Sequence, residues 1–244
     1  AGTKVVIEDF LQGEEASFIV LCDGKKTIPF ASSQDHKARD NNDLGPNTGG
    51  MGAYSPAPIV TEEIHKQVME KIIKPTIDGL KSEGITYKGF LYAGLMIKNS
   101  EISVLEFNCR FGDPETQPIL MRMESDLAEI CLLAAQGNLN EREISWTKDS
   151  ALGVVIASKG YPFEYEKNKE INNLENENPR QKVFHAGTKT QEGKVLSNGG
   201  RVLCVTALGS TLLDSKNLAY QKVKNIDWEE GFYRDDIGDK AIKS

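Results

Sequence analysis

The run Leu105-Glu106-Phe107-Asn108-Cys109-Arg110-Phe111-Gly112-Asp113-Pro114-Glu115-Thr116-Gln117 holds a carboxylate, an amide, a guanidinium and two further carboxylates in one short stretch. Strand side chains alternate faces, so Glu106 and Asn108, two apart, project from the same face of a strand. A carboxylate beside an amide oxygen suits Mg²⁺, a hard cation that prefers oxygen and completes its shell with water and phosphate. Arg110 continues the alternation and can grip a phosphate or carboxylate with its fork. The combination reads as an ATP–metal site beside a pocket that activates an acid.

Outward from that run, Phe90 to Ile97 and Ile102 to Phe107 read as strands joined by a polar turn at Asn99-Ser100. A helix is expected from about Glu115 to Gln136, with Gly137 as its stop. Upstream, Thr61 can cap a helix with Glu62 and Glu63 in its first turn. Ile64, Val68, Ile72, Ile73, Ile77 and Leu80 repeat at helical spacing, and Pro75 kinks or splits that helix. At the start, Val5 to Phe10, Glu15 to Cys22 and Lys25 to Ala31 read as strands, with turns at Gln12-Gly13 and Asp23-Gly24. After Trp146, Leu152 to Ala157, Lys182 to Ala186 and Arg201 to Ala207 are short apolar strands, followed by a helix capped by Ser210. The expectation is an α+β fold with a domain boundary near residues 140 to 150.

Three other segments carry candidate chemistry. Glu8-Asp9-Phe10-Leu11-Gln12-Gly13-Glu14-Glu15 ends a strand whose backbone can meet an adenine edge, with a carboxylate placed for ribose hydroxyls; an ordinary acidic hairpin is the plainer reading. Gln34-Asp35-His36-Lys37 leads into Gly45-Pro46-Asn47-Thr48-Gly49-Gly50-Met51-Gly52. There Lys37 can meet a phosphate and the glycine amides can form an anion nest, although the spacing is not that of a Walker loop. His36, His65 and His185 are expected to be structural.

The chain has 244 residues with a formal net charge of -7, 39% hydrophobic and 27% charged. The acidic balance argues against a nucleic-acid partner. Cys22, Cys109, Cys131 and Cys204 show no paired spacing and are expected as reduced, buried thiols. No run of about 18 apolar residues suggests a membrane span, and no secretory signal is visible.

Together the segments resemble the ATP-grasp enzymes, most closely the glycinamide ribonucleotide synthetase family of phosphoribosylamine–glycine ligases. The likeness runs from Glu8 to Phe18 through Ser33 to Lys37, Gly45 to Pro56, Gly89-Phe90-Leu91-Tyr92-Ala93-Gly94-Leu95-Met96 and Glu106 to Pro118. It continues in Phe184-His185-Ala186-Gly187-Thr188 and Asn198-Gly199-Gly200-Arg201-Val202-Leu203. The resemblance implies an ATP-grasp core, an antiparallel sheet with helices, in residues 1–145, and a small mixed β/α domain in 146–244. It implies ATP-dependent joining of glycine to 5-phosphoribosylamine through a glycyl phosphate, in purine biosynthesis, in a cytoplasmic monomer or homodimer without membrane or nucleic-acid partner.

Carried over by position, Glu106 and Asn108 resemble ligands of Mg²⁺ or Mn²⁺. Glu8, Asp9, Phe10 and Leu11 resemble the adenine segment and Glu15 the ribose carboxylate. Lys37 and Arg110 resemble contacts to phosphate or acyl phosphate. Asp113, with Glu115, is expected at the acceptor site, able to receive the glycine ammonium; capping of the helix near Glu115 is the alternative. Other ATP-grasp ligases or carboxylases share the Glu-x-Asn-x-Arg core, and a non-catalytic nucleotide-binding module is the alternative of another class. The family's N-terminal α/β domain and lid are missing, and the chain opens without an initiator Met at Ala1-Gly2-Thr3-Lys4. The C-terminal part of a longer ligase, weak in ATP binding and inactive alone, is therefore expected.

Overall fold

Glu14–Asp23 (β1) is buried along almost all its length, which explains why residues 18–22 are an unbroken apolar run and not an alternating one. The computed structural model describes residues 5, 7–140, 142–175 and 178–243, the last by its backbone alone. After β1 come Thr27–Pro29 (β2), Gln34–Asp35 (β3), Ala38–Asp40 (β4), Leu44–Asn47 (β5) and Gly52–Ser55 (β6). Next are Glu62–Val68 (α1), a π-helical turn at Met69–Ile73, Lys74–Ser82 (α2), Lys88–Lys98 (β7) and Glu101–Asn108 (β8). Thr116–Arg122 (α3), Leu127–Gln136 (α4) and Ser150–Ser158 (β9) lead into Gln181–His185 (β10), Thr188–Gln191 (β11), Lys194–Ser197 (β12) and Arg201–Gly209 (β13). Leu212–Asn225 (α5), Gly231–Phe232 (β14) and Asp239–Lys243 (α6) complete the order.

The first sheet has the order β2-β1-β7-β8, every pair antiparallel. One face packs Ala16, Phe18, Val20, Leu91, Ala93 and Leu95 against Ile64 and Val68 of α1 and Ile73 of the π-helical turn. The other face is apolar at one end, where Ile19, Leu21 and Tyr92 meet Ile119 and Ile130, and polar at the other, where Glu15, Ser17, Glu106 and Asn108 stand. The second sheet runs β10-β13-β9-β6-β3, with β14 on β9. It is backed by α5 through Ala219, Tyr220 and Val223. Because β6 pairs with β9 from Gly52↔Val154 to Ser55↔Ala151, the second sheet draws strands from both sides of residues 140 to 150.

Several expectations need correcting. The described part of the first expected strand, Val5 and residues 7–10, forms no strand; Ile7 and Phe10 are 92% and 89% exposed. Val6 and Ala1-Gly2-Thr3-Lys4 lie outside the described residues. The third strand covers only Thr27–Pro29. The single helix expected over Glu115 to Gln136 is two. Met123 turns extended (ψ 125°) and Asp126 caps α4, accepting from Ala128 N and Glu129 N, while Glu124 N bonds Ser145 O at 2.9 Å. Thr211, not Ser210, caps α5, in a capping box with Asp214. Cys109 is exposed and Cys131 half-buried, whereas Cys22 and Cys204 are buried. The Thr61 cap and the left-handed Gly137 stop are both present.

Asp23 closes the β1 turn. Its Oδ1 accepts from Lys25 N (2.8 Å) and Lys26 N (2.7 Å), and Oδ2 from Leu139 N (3.0 Å). Burial pushes its carboxyl up, but these three bonds and the Lys25 charge outweigh burial and hold it below the ordinary range. The stabilisation is therefore present at neutral pH and lost as pH falls through the folded-state value. Asp23→Ala should lower unfolding free energy by about 1–3 kcal/mol, measured by urea titration; an unchanged midpoint would show that the turn does not depend on this side chain.

Candidate active site

Register assembles the site. Glu15 pairs with Met96, Ser17 with Gly94 and Ile19 with Tyr92, while Gly94 pairs with Glu106 and Tyr92 with Asn108. Directly opposed residues share a face, so Glu15, Ser17, Tyr92, Glu106 and Asn108 stand on one side of the sheet. Gly94 keeps that surface open: a Cβ there would meet Glu106 Cγ at 3.2 Å and Tyr92 at 3.4 Å. The Glu106 side chain makes no hydrogen bond or ion pair among the described residues. Asn108 Nδ2 is buried without a partner. Neither side chain is consumed by a structural task.

Facing this surface, Lys37 Nζ lies 3.1 Å from Glu15 Oε2. Burial lowers the Lys37 pKa, but Asp35, Glu15 and Glu106 outweigh burial and raise it, so the ammonium stays charged. Asp35 responds in the opposite way. Burial first, then the nearby Glu115 and Glu15 charges, push its carboxyl up to about 7 against the opposing pull of Lys37. Ser17 Oγ donates to Glu115 Oε1 at 2.7 Å and lies 2.9 Å from Tyr92 OH; Glu115 Oε2 is buried without a partner. Glu15, Asp35 and Glu106 around Lys37, with Glu115 beside Asp35, leave an excess of negative charge that a divalent cation would offset. The donor set thus fits an oxygen-ligated metal at Glu106 and Asn108.

Two adjoining cavities meet at Met96. One, of about 230 Å³, is lined by Glu15, Gln34, Asp35, Lys37, Tyr54 and Lys240 among others. The other, of about 270 Å³, is lined by Phe10, Leu11, Gln12, Lys98, Glu101 and Ser103. Phe10 and Leu11 therefore border a cavity next to Glu15. Glu8 and Asp9 are exposed.

Beyond Asn108 the strand alternation stops. Arg110 is exposed, and its Nη1 donates to Phe111 O at 2.9 Å; it stands past the strand end, not on the Glu106 row. Both Asp113 oxygens accept from Arg201, at 2.9 and 2.8 Å, and Arg201 Nη1 also donates to Gly49 O at 2.7 Å. Tyr161 OH accepts from Gly49 N at 3.0 Å. The glycine-rich loop is thus bracketed between the motif and the second sheet. Gly50 has φ +112°, and a Cβ there would collide with Pro114, so the loop's approach to the motif depends on this glycine.

The sequence reading gave no separate role to Asp35, Arg201 or Lys240. Asp35 was signalled only by its place two residues before Lys37, and Arg201 only by its Gly-Gly-Arg context; Lys240 had no signal. Glu115 precedes α3 but makes no side-chain cap bond, so capping does not explain it.

Because its carboxyl is raised, ionising Asp35 costs folded stability as pH rises from the ordinary carboxylate range to about 7. Asp35→Asn should therefore gain melting temperature over the unsubstituted chain between about pH 5 and about pH 8. A difference that does not change across that interval would show that the carboxyl titrates normally.

Residues 1–116 match the model for the phosphoribosylglycinamide synthetase ATP-grasp (A) domain, and residues 151–240 that for the C domain of the same enzyme. Phosphoribosylamine–glycine ligase of Pasteurella multocida is 55% identical over 243 residues, and that of Salmonella typhimurium 56% over 246. The match takes in 99% and 100% of this chain but 57% of each relative, so the chain spans a little over half the length of these curated relatives. The solved phosphoribosylamine–glycine ligase of Thermotoga maritima superposes with a TM-score of 0.86 at 33% identity, covering 94% of this chain and 57% of that one. The urea carboxylase of Kluyveromyces lactis superposes at 0.65 with 13% identity, over 90% of this chain and 19% of its own, a likeness of fold alone. With two domains of one enzyme matched along its length and the same architecture in a solved relative, the chain belongs to the phosphoribosylglycinamide synthetase family and has the ATP-grasp fold.

Proposed function

We propose that this chain supplies the metal-, nucleotide- and acid-activating part of a cytoplasmic ligase that joins glycine to 5-phosphoribosylamine at the expense of ATP. The observation that carries the reading is the shared sheet face of Glu106, Asn108, Glu15 and Ser17, opposed by Lys37. Residues 1–145 belong to the catalytic core and 146–244 to the C-terminal domain. No helix among the described residues is long and apolar enough to cross a membrane.

Glu106 and Asn108 would hold Mg²⁺, or Mn²⁺ in its place, and a divalent cation there would supply charge neutralisation for the phosphates. Phe10 and Leu11 border the adenine, with Glu8 and Asp9 in the same segment meeting it by backbone, and Glu15 takes the ribose hydroxyls. Lys37 attracts the transferring phosphoryl group, and Arg110, at the rim, swings from Phe111 O to grip the acyl phosphate. A glycine carboxylate is a poor electrophile because its oxygen leaves badly; phosphorylation supplies a leaving group, and fixed cations lower the repulsion between the two anions. Asp113, held by Arg201, keeps the glycine-rich loop over the acceptor. Asp35, with Glu115 behind it, receives the glycine ammonium from the cavity side.

The test is a chimera in which residues 1–244 replace the matching region of the Pasteurella multocida ligase. Phosphate release should require both glycine and phosphoribosylamine, and Asn108→Leu should lower kcat by about two orders of magnitude, the scale of several kcal/mol of charge stabilisation. Release driven by bicarbonate instead of glycine, or an active Asn108→Leu chimera, would contradict the assignment.

A further inference from the structure

Arg234 is among the largest fully buried side chains, 2% exposed, yet it belongs to no motif near the site. Its Nε and Nη2 donate to the two Asp236 oxygens, each at 2.8 Å, and its Nη1 donates to Ala38 O and to Asp43 Oδ1, both at 3.0 Å. Around it the segment grips residues 36–43 again and again. Asn42 N donates to Asp236 Oδ2 at 2.7 Å, Asp235 N to Asn41 Oδ1 at 3.0 Å, and Gly238 N to His36 Nε2 at 3.3 Å. Lys240 pairs with Asp43. From behind, α5 fixes the segment: Tyr220 OH contacts Arg234 O and accepts from Ile237 N, and Lys216 pairs with Asp239.

What this segment holds is the backbone that carries Asp35 and Lys37. That backbone is held by short pairings: β3 meets β6 at Gln34↔Tyr54 and Asp35↔Ala53, single backbone bonds tie His36 to Gly52 and Met51 and Lys37 to Thr48, and β4 meets β5 through an irregular register. A buried guanidinium with paired carboxylates is costly to assemble, and its removal leaves unpaired charge. Lys240, whose side chain is 64% exposed, borders the same cavity as Asp35 and Lys37. It is a second cation beside a site that must take phosphate-bearing ligands.

We propose that residues 234–240 form a positioning latch: Arg234 fixes the strand that aims Asp35 and Lys37, and Lys240 adds a cation to the ligand cavity. The Lys240 half rests on the functional reading above; the Arg234 half does not. The first test is hydrogen exchange by mass spectrometry on the whole chain, comparing it with Arg234→Lys, which keeps the charge and loses the fork. Exchange at residues 36–48 should rise at least about tenfold while β9 and β13 keep their protection. Unchanged exchange at 36–48 overturns the latch, and so does an equal rise throughout the chain, because Arg234 would then support the fold as a whole.

The second test places Lys240→Met in the chimera. The KM for ATP or for phosphoribosylamine should rise about tenfold, with the glycine KM and kcat moving far less. Unchanged KM values for both phosphate-bearing substrates overturn the role of Lys240. A parent chimera that ignores glycine refutes the functional reading, and with it the Lys240 half, while exchange still decides the Arg234 half.

Discussion

The antiparallel pairing of β1 with β7, from Glu14↔Ile97 to Asp23↔Lys88, is the constraint on which the rest depends. Side chains along both strands alternate, so one register sends Phe18, Val20, Ala93 and Leu95 to α1 and the π-helical turn that follows it. The same register sends Glu15 and Ser17 to the opposite side, where β8 adds Glu106 and Asn108. A slip of one residue would bury Glu15 and expose Phe18, exchanging core and site in a single step. Hydrophobic burial thus holds the polar face in place, because neither face can change without the other.

The opposed wall is built differently. Asp35, Lys37 and the glycine-rich loop sit on short strands and turns, and their position comes from distant partners: Arg201 through Gly49 and Asp113, and Arg234 through Ala38 and Asp43. Both arginines follow β9, while the groups they position precede it. Pairing of β6 with β9 builds a strand from the first part of the chain into the second sheet, so the second part of the chain is a structural component of the site's wall and not an appendage. Polar contacts of this kind depend on fixed geometry, and they carry the wall that strand pairing leaves thin.

Much of this was legible in the residues. Alternation placed Glu106 and Asn108 together, and the capping residue Thr61 and the glycine stop Gly137 marked helix ends by local chemistry alone. The likeness of long motifs supplied the family. What escaped were outcomes set by tertiary partners. Asp126 outcompeted the continuous helical pattern by capping α4 while Glu124 bonded Ser145. The segment before β1 reads as a strand by composition, but its described residues have no neighbouring strand to pair with. Arg110 left the strand row because the strand ends at Asn108, and Asp113 met an arginine far along the chain. Asp35 looked like one acid among many, and only its burial beside Glu115 separates it from the others. Periodicity and capping are short-range signals; burial of a charge and its partner's identity are not.

The most direct measurement is anomalous diffraction from crystals of the chain grown with Mn²⁺ and ATP. A manganese peak is expected within about 2.0–2.6 Å of a Glu106 carboxylate oxygen and the Asn108 amide oxygen, the range of oxygen-ligated divalent cations. The nucleotide phosphates should extend from it toward Lys37. A peak seated instead between Asp35 and Glu115, with Glu106 and Asn108 unliganded, would contradict the assignment of the sheet face as the metal floor.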